Sequence, residues 1–182
     1  MPHSNPTPHT NLRDILIAEL ADALGSDRLL LTTWPALARA VRTQSLKRLC
    51  EEGVDYTQER IERLEKAFAI LKVAPSAKRS DGMTCLLEAA LTGADRGAAG
   101  PLRDAVLLAA IQKLSHYGDA GYGSLVGYAE TLGEREIALM LRRSLDEKSE
   151  AIEEMTDMAD GEINPHAARD GLANSAKRAG IG

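Results

Sequence analysis

Apolar residues recur at helical spacing along four long segments of this 182-residue chain. Aromatic residues make up only 3% of the sequence while 44% of it is hydrophobic, so the core must be built from Leu, Ala, Ile, Val and Met. These side chains suit close helix–helix packing better than a sheet, which favours β-branched and aromatic residues. The pattern predicts one all-α domain, since a chain of this length holds one well-buried core.

Four long helices and one short helix are predicted within residues 11–160. The first begins after Asn11, which can serve as its N-cap, and is expected to be kinked or briefly broken at Gly25 or Pro35. The connection 72–100 joins the second and third long helices and carries the short one. Because parallel neighbours need a long link, this connection favours a four-helix bundle with a crossover over a simple up-and-down bundle.

The two ends of the chain differ in composition from the predicted bundle. Residues 1–10 contain three prolines and two histidines, and residues 161–182 are rich in Asn, Pro, Ala, Gly and Lys. We expect a disordered N-terminal arm and a flexible C-terminal tail. The first residues lack the apolar core of a secretory signal, and no apolar run approaches the ~20 residues that span a bilayer. The sequence therefore predicts a soluble, cytoplasmic protein of bacterial type.

The segment 112–125 carries the strongest family signal, and it reads Gln-Lys-Leu-Ser-His-Tyr-Gly-Asp-Ala-Gly-Tyr-Gly-Ser-Leu. It resembles the signature of the YciF/YciE family of bacterial ferritin-like stress proteins, which usually has the form Q-K-x-E-H-Y-E-x-A-x-Y-G-x-L. Shorter similarities in the same order extend the resemblance from Leu12 to Ala159. The resemblance implies a ferritin-like four-helix bundle, a homodimer and an association with bacterial stress responses.

Most of the acidic residues that the family directs toward a di-metal site are replaced in this chain. Two hard cations need several anionic oxygens to offset their charge, so a di-iron bundle requires carboxylates from all four helices. Carried over residue by residue, the family's positions fall on Asp27, Tyr56, Ser115, Gly118 and Lys148. One acid remains, and a lysine stands where another is expected. The resemblance therefore identifies a vestigial metal site, and we expect no bound cofactor.

A shifted or mononuclear iron or manganese site remains an alternative. It would use Asp27, Asp55, His116 and Glu147 as ligands. The apolar stripes of the predicted helices turn Asp55 and Glu147 away from the bundle axis, and a histidine such as His116 is more often a hydrogen-bonded structural residue. No nucleophile-elbow motif places a Ser, His and Asp together, so no catalytic residue is assigned.

Two classes of function follow from these patterns. The first is a degenerate, metal-free ferritin-like module that is not an enzyme and acts as a homodimer or through an unidentified protein partner. The second is a ferritin-like di-metal oxidoreductase or iron-handling protein with an atypical site. A net charge of −5 without a basic block argues against nucleic acid or an anionic membrane as a partner.

In the metal-free case, we expect Lys148 to replace the missing cations. Its ammonium would lie near Asp27, with the hydroxyl of Tyr56 close by, because a buried carboxylate is costly unless it is paired. Removing one partner of such a buried pair is expected to cost about 3–5 kcal/mol. The alternative is that Lys148 extends to solvent past a displaced Asp27.

Overall fold

The computed structural model describes residues 9–95 and 100–178, and in these ranges the chain is helical without a strand. The elements are α1 (Leu12–Ala40), α2 (Gln44–Ile70), α3 (Asp81–Asp95), α4 (Pro101–Thr131), α5 (Arg135–Met158), a π-helical turn (Ala159–Ile163) and α6 (Asn164–Arg178). None of the described helices is both long and apolar enough to cross a bilayer. The predicted all-α bundle of four long helices is confirmed, as is the connection that carries a short helix.

The four long helices form two antiparallel pairs, α1 with α2 and α4 with α5, and α1 also packs on α4 and α2 on α5. The starts of α2 and α4 meet, since the carboxylate of Asp104 accepts a hydrogen bond from the backbone N–H of Thr43 at 2.7 Å. The two helices therefore run parallel, and only a crossover can join the end of one to the start of the other. The segment after α2, together with α3, provides it.

α1 continues through Gly25 and Pro35 without the brief break that the sequence allowed, so one helix spans both residues. Gly25 serves the crossover instead. The backbone N–H of Lys78 donates to the carbonyl of Ala21 at 2.9 Å, and a Cβ at position 25 would overlap the carbonyl oxygen of Lys78. The glycine thus allows the crossover backbone to lie directly against α1.

Helical structure continues past residue 160 to Arg178, in the segment where the composition predicted a flexible tail. Ile163 and Ala167 are buried, and the hydroxyl of Ser45 donates to the carboxylate of Glu162 at 2.5 Å. This segment is rich in small and polar residues. Its few apolar residues form a narrow face, which gives only a weak helical pattern in the sequence. Most of the predicted N-terminal arm and the last residues, 179–182, lie outside the described ranges.

Buried apolar side chains form two clusters along the bundle axis. One includes Trp34, Cys50, Ile111 and Met155, and the other includes Leu20, Phe68, Leu125 and Leu141. Burial of each large apolar side chain contributes about 1.5–3 kcal/mol, so these clusters supply most of the driving force for folding. A layer of buried polar side chains, which we call the ionic layer, separates them and consists of Ser26, Asp27, Thr57, Arg60, Ser144 and Lys148.

Candidate functional site

The ionic layer is organised around the carboxylate of Asp27, which is 1% exposed. The hydroxyl of Tyr122 on α4 donates to its Oδ2 at 2.7 Å. Arg60 Nε on α2 and Lys148 Nζ on α5 lie 3.6 and 3.9 Å from its Oδ1. Each of the four long helices therefore contributes one side chain to this contact set, so the layer ties both helix pairs together.

Lys148 is 5% exposed and lies near Asp27, which agrees with the expected ion pair and not with a lysine that extends to solvent. The hydroxyl in the contact set differs from the expectation. It belongs to Tyr122, whereas Tyr56 is 49% exposed at the surface of α2. Tyr122 was not assigned to the site from the sequence, because its place opposite Asp27 depends on the register between α1 and α4.

Gly118 makes room for the ammonium group of Lys148. A Cβ at position 118 would lie 2.7 Å from Nζ, which is closer than two such atoms can approach. The ammonium also lies 5.2 Å from the centroid of the Tyr122 ring, within the range of a cation–π contact. The lysine of α5 thus occupies space that a side chain on α4 would otherwise fill.

Burial dominates the protonation behaviour of the layer. It lowers the pKa of Lys148 from 10.5 to about 8, because desolvation disfavours the charged form more than the charge of Asp27 favours it, and Arg60 lowers it further. Burial also raises the pKa of Tyr122 well above 10, and the charge and hydrogen bond of Asp27 act in the same direction. Tyr122 therefore remains a protonated donor near neutral pH.

Arg60 is the member of the layer whose role the sequence did not indicate. Its Nη2 donates to Thr57 Oγ1 at 2.7 Å, and the same oxygen accepts from Trp34 Nε1 at 2.9 Å. Its buried Nε has no hydrogen-bond partner among the described residues. The sequence contained one signal for this role, because Arg60 is a charged residue on the mainly apolar stripe of α2 that faces the bundle interior. With Lys148, it places two cations against the single carboxylate of Asp27.

The remaining predicted site residues do not converge on Asp27. Ser115 is half-buried, and Asp55 and His116 are exposed. Glu147 accepts hydrogen bonds from Arg63 at 2.6 and 2.8 Å. Burial raises the pKa of Glu147, but the charge and hydrogen bonds of the guanidinium outweigh it, so the net pKa is lowered. In the described part of the chain, no three His, Cys, Asp or Glu side chains are placed to hold a metal ion.

A di-metal centre does not fit this donor set. Such a centre needs several carboxylates that project inward, some of them bridging. The ionic layer offers the carboxylate of Asp27, which already accepts from Tyr122, and it directs the charges of Arg60 and Lys148 toward the same space. Cations in that space would be repelled, so the residues present favour an internally paired centre.

These observations define a class of protein: a helical bundle whose four long helices enclose a buried ionic layer. The chain belongs to the family described as a domain of unknown function, DUF892, which matches residues 11–168. The family membership predicted from the segment 112–125 is confirmed.

Individual relatives agree with this assignment. The chain is 30% identical to protein YciF of Escherichia coli (strain K12) over 159 residues, which cover 86% of this chain and 95% of YciF. The crystal structure of the E. coli stress protein YciF superposes with a TM-score of 0.82 and 29% identity, covering 86% of this chain and 99% of that one. YcfI of Rhodopseudomonas palustris gives a TM-score of 0.80 and 25% identity over 84% of this chain and 98% of that one.

Proposed function

We propose that this protein is a metal-free, stress-associated member of the family that acts as a binding or structural module and not as an enzyme. The observation that carries the proposal is the position of Lys148, whose ammonium lies beside Gly118 and 3.9 Å from Asp27. The family resemblance places acidic residues at positions 118 and 148. Replacing them by a glycine and a lysine removes negative charge and adds positive charge at one point, which opposes cation binding.

The association with stress and the ferritin-like lineage rest on the resemblance and on the description of the relative YciF as a stress protein. A homodimer and a cytoplasmic location belong to the same proposal. The iron-handling alternative would require Asp55 and His116 to approach Asp27. Both are exposed instead, so no described contact favours it.

Metal analysis tests the proposal directly. The protein, purified without a His-tag from cells supplied with iron and manganese, is expected to contain less than stoichiometric amounts of either metal by plasma mass spectrometry. A gain-of-function variant provides the positive control: Tyr56→Glu, Ser115→Glu, Gly118→Glu and Lys148→Glu restore the acids that the resemblance predicts. Stoichiometric iron or manganese in the parent protein would overturn the proposal.

The dimer is tested separately by light scattering at micromolar concentration. A particle with the mass of two chains is expected. A particle with the mass of one chain across the concentration range would contradict the dimeric part of the proposal. It would not affect the metal-free part, which the metal analysis tests separately.

A further inference from the structure

A cavity of about 70 Å³ adjoins the ionic layer between α2 and α5. This is several times the space that one water molecule requires. Its wall is mainly apolar and includes Leu30, Trp34, Leu49, Leu114, Ala151 and Met155. Arg60 and Lys148, both buried, also line it, as does Glu147, which is paired with Arg63. The exposed side chains of Glu52, Tyr56 and Glu154 border its opening. Two buried cations therefore lie in the wall of a cavity that is otherwise mainly apolar.

Among the described residues, neither cation of this wall has a carboxylate within hydrogen-bond distance, although the charges of Asp27 and Asp119 both favour the charged form of Lys148. Arg60 and Lys148 share one carboxylate, that of Asp27, at distances that exceed direct hydrogen bonds. The Nε of Arg60 is buried and finds no acceptor among the described residues. A buried charge without a partner is costly, and the guanidinium and ammonium groups favour anionic oxygens as partners. A carboxylate in the cavity would give the guanidinium and the ammonium an acceptor at hydrogen-bond distance.

We propose that this cavity binds a small organic carboxylate whose oxygens lie between Arg60 and Lys148 and whose short apolar tail contacts Trp34, Leu49 and Met155. The apolar wall would leave the outer face of an inorganic ion without partners, whereas an organic tail fills it. Glu52 and Glu154 at the opening repel ions of higher negative charge, which disfavours phosphates.

The inference rests on the metal-free centre proposed above, and the failure of one can be distinguished from the failure of the other. Stoichiometric metal in the purified protein would overturn both. A metal-free protein that does not bind carboxylates would overturn the cavity proposal alone.

The first experiment titrates hexanoate and benzoate into the full-length protein by calorimetry, at constant ionic strength. Saturable binding of one molecule per chain is expected. Hexanol and hexylamine serve as matched probes with the same tail and no negative charge, and each is expected to bind about tenfold more weakly or worse, because charge-assisted hydrogen bonds are lost. Failure of the parent protein to bind either carboxylate would overturn the proposal.

Two variants locate the site. Arg60→Met removes the guanidinium and leaves Asp27 in contact with Lys148 and Tyr122, and Ala151→Met fills the cavity without changing a charge. Each is expected to weaken hexanoate binding by about tenfold or more. Lys66→Met, which removes an exposed cation paired with Glu136, is the matched control and is expected to bind like the parent protein.

Circular dichroism is used to test whether each variant is folded. If Arg60→Met does not fold, the hexanoate affinity of Ala151→Met alone tests the proposed site. Unchanged affinity in the folded variants would place the carboxylate elsewhere and overturn the proposal. Chloride that displaces hexanoate at equal concentration would identify an adventitious ion site, and it would also overturn the assignment of an organic ligand.

Discussion

Two buried carboxylates in this bundle are stabilised in opposite ways. Asp104 at the start of α4 and Asp27 in the middle of α1 are each 1% exposed. Asp104 accepts from the backbone N–H groups of Arg42 and Thr43 at 3.0 and 2.7 Å, and from the Thr43 hydroxyl at 2.6 Å. Its partners are fixed dipoles at the N-terminus of α2, where a negative charge is favoured.

Asp27 receives one hydrogen bond, from Tyr122, and its two cationic neighbours remain 3.6 and 3.9 Å away. This difference in bonding partners determines how each region responds when its helices are displaced. Directed hydrogen bonds at the α1–α2 corner define one geometry and stabilise the carboxylate with neutral, fixed donors. The ionic layer depends on Coulomb attraction between separate helices, which tolerates small displacements of the charged groups.

The largest effect is expected from Asp27→Leu, which leaves Arg60 and Lys148 buried without a counter-charge. Removing one partner of a buried ion pair costs about 3–5 kcal/mol, so the free energy of unfolding should fall by about this amount in a urea titration. The double variant Asp27→Leu with Lys148→Met removes one of the orphaned cations and should recover part of the loss. A loss below about 1 kcal/mol in the single variant would show that the layer is solvated, as surface pairs are.

At the corner, Asp104→Ala should lower the free energy of unfolding by about 2–3 kcal/mol, because two backbone N–H groups and the Thr43 hydroxyl lose their acceptor. The loss should vary little between low and high salt, since the partners carry no formal charge. Asp146→Ala removes an exposed acid from α5 and serves as the control, with a change within about 0.5 kcal/mol. A strongly salt-dependent loss for Asp104→Ala would remove the distinction between the two carboxylates.

The fold could be predicted largely because its information is local. Helical periodicity and the position of the long connection depend on residues close together in sequence, and Asn11 was identified as the N-cap of α1, where its side chain accepts from the N–H of Asp14 at 2.9 Å. The π-helical turn and α6 were not anticipated, because Ile163 and Ala167 form too narrow an apolar face to stand out.

The site could be predicted only in part because its information lies between helices. The ion pair of Asp27 and Lys148 followed from the family's signature positions. The partner hydroxyl and the second cation did not, because the register of α2 and α4 against α1 decides whether Tyr56 or Tyr122 reaches Asp27. Arg60 was visible on the inward stripe of α2, but one sequence does not show which acid it faces.

A smaller effect compares two glycines of α4. Gly121→Ala introduces a methyl group that meets no atom within 4 Å apart from its chain neighbours and its own helical backbone, so it should stabilise the helix by about 0.5–1 kcal/mol. Gly118→Ala gains the same propensity but forces the Lys148 ammonium to move within a buried site. We expect it to be about 1–2 kcal/mol less stable than Gly121→Ala. Equal thermal stabilities of the two variants would show that Lys148 has a second position of similar energy.

The smallest effect is a pH dependence specific to the ionic layer. Burial lowers the pKa of Lys148 from 10.5 to about 8, so between these values the unfolded chain holds a proton that the folded chain releases. The contribution of Lys148 to the free energy of unfolding should therefore rise with pH across this window. Cys50 and Tyr122, whose pKa values burial raises, act in the opposite direction at alkaline pH, but they are also present in a Lys148→Met variant. From pH 7 to 9, the parent protein should gain about 1 kcal/mol relative to that variant in urea unfolding. If the free energies of unfolding of the two proteins change in parallel with pH, Lys148 titrates as an exposed lysine does. The contrast between the ionic layer and the Asp104 corner would then depend only on the geometry of their contacts.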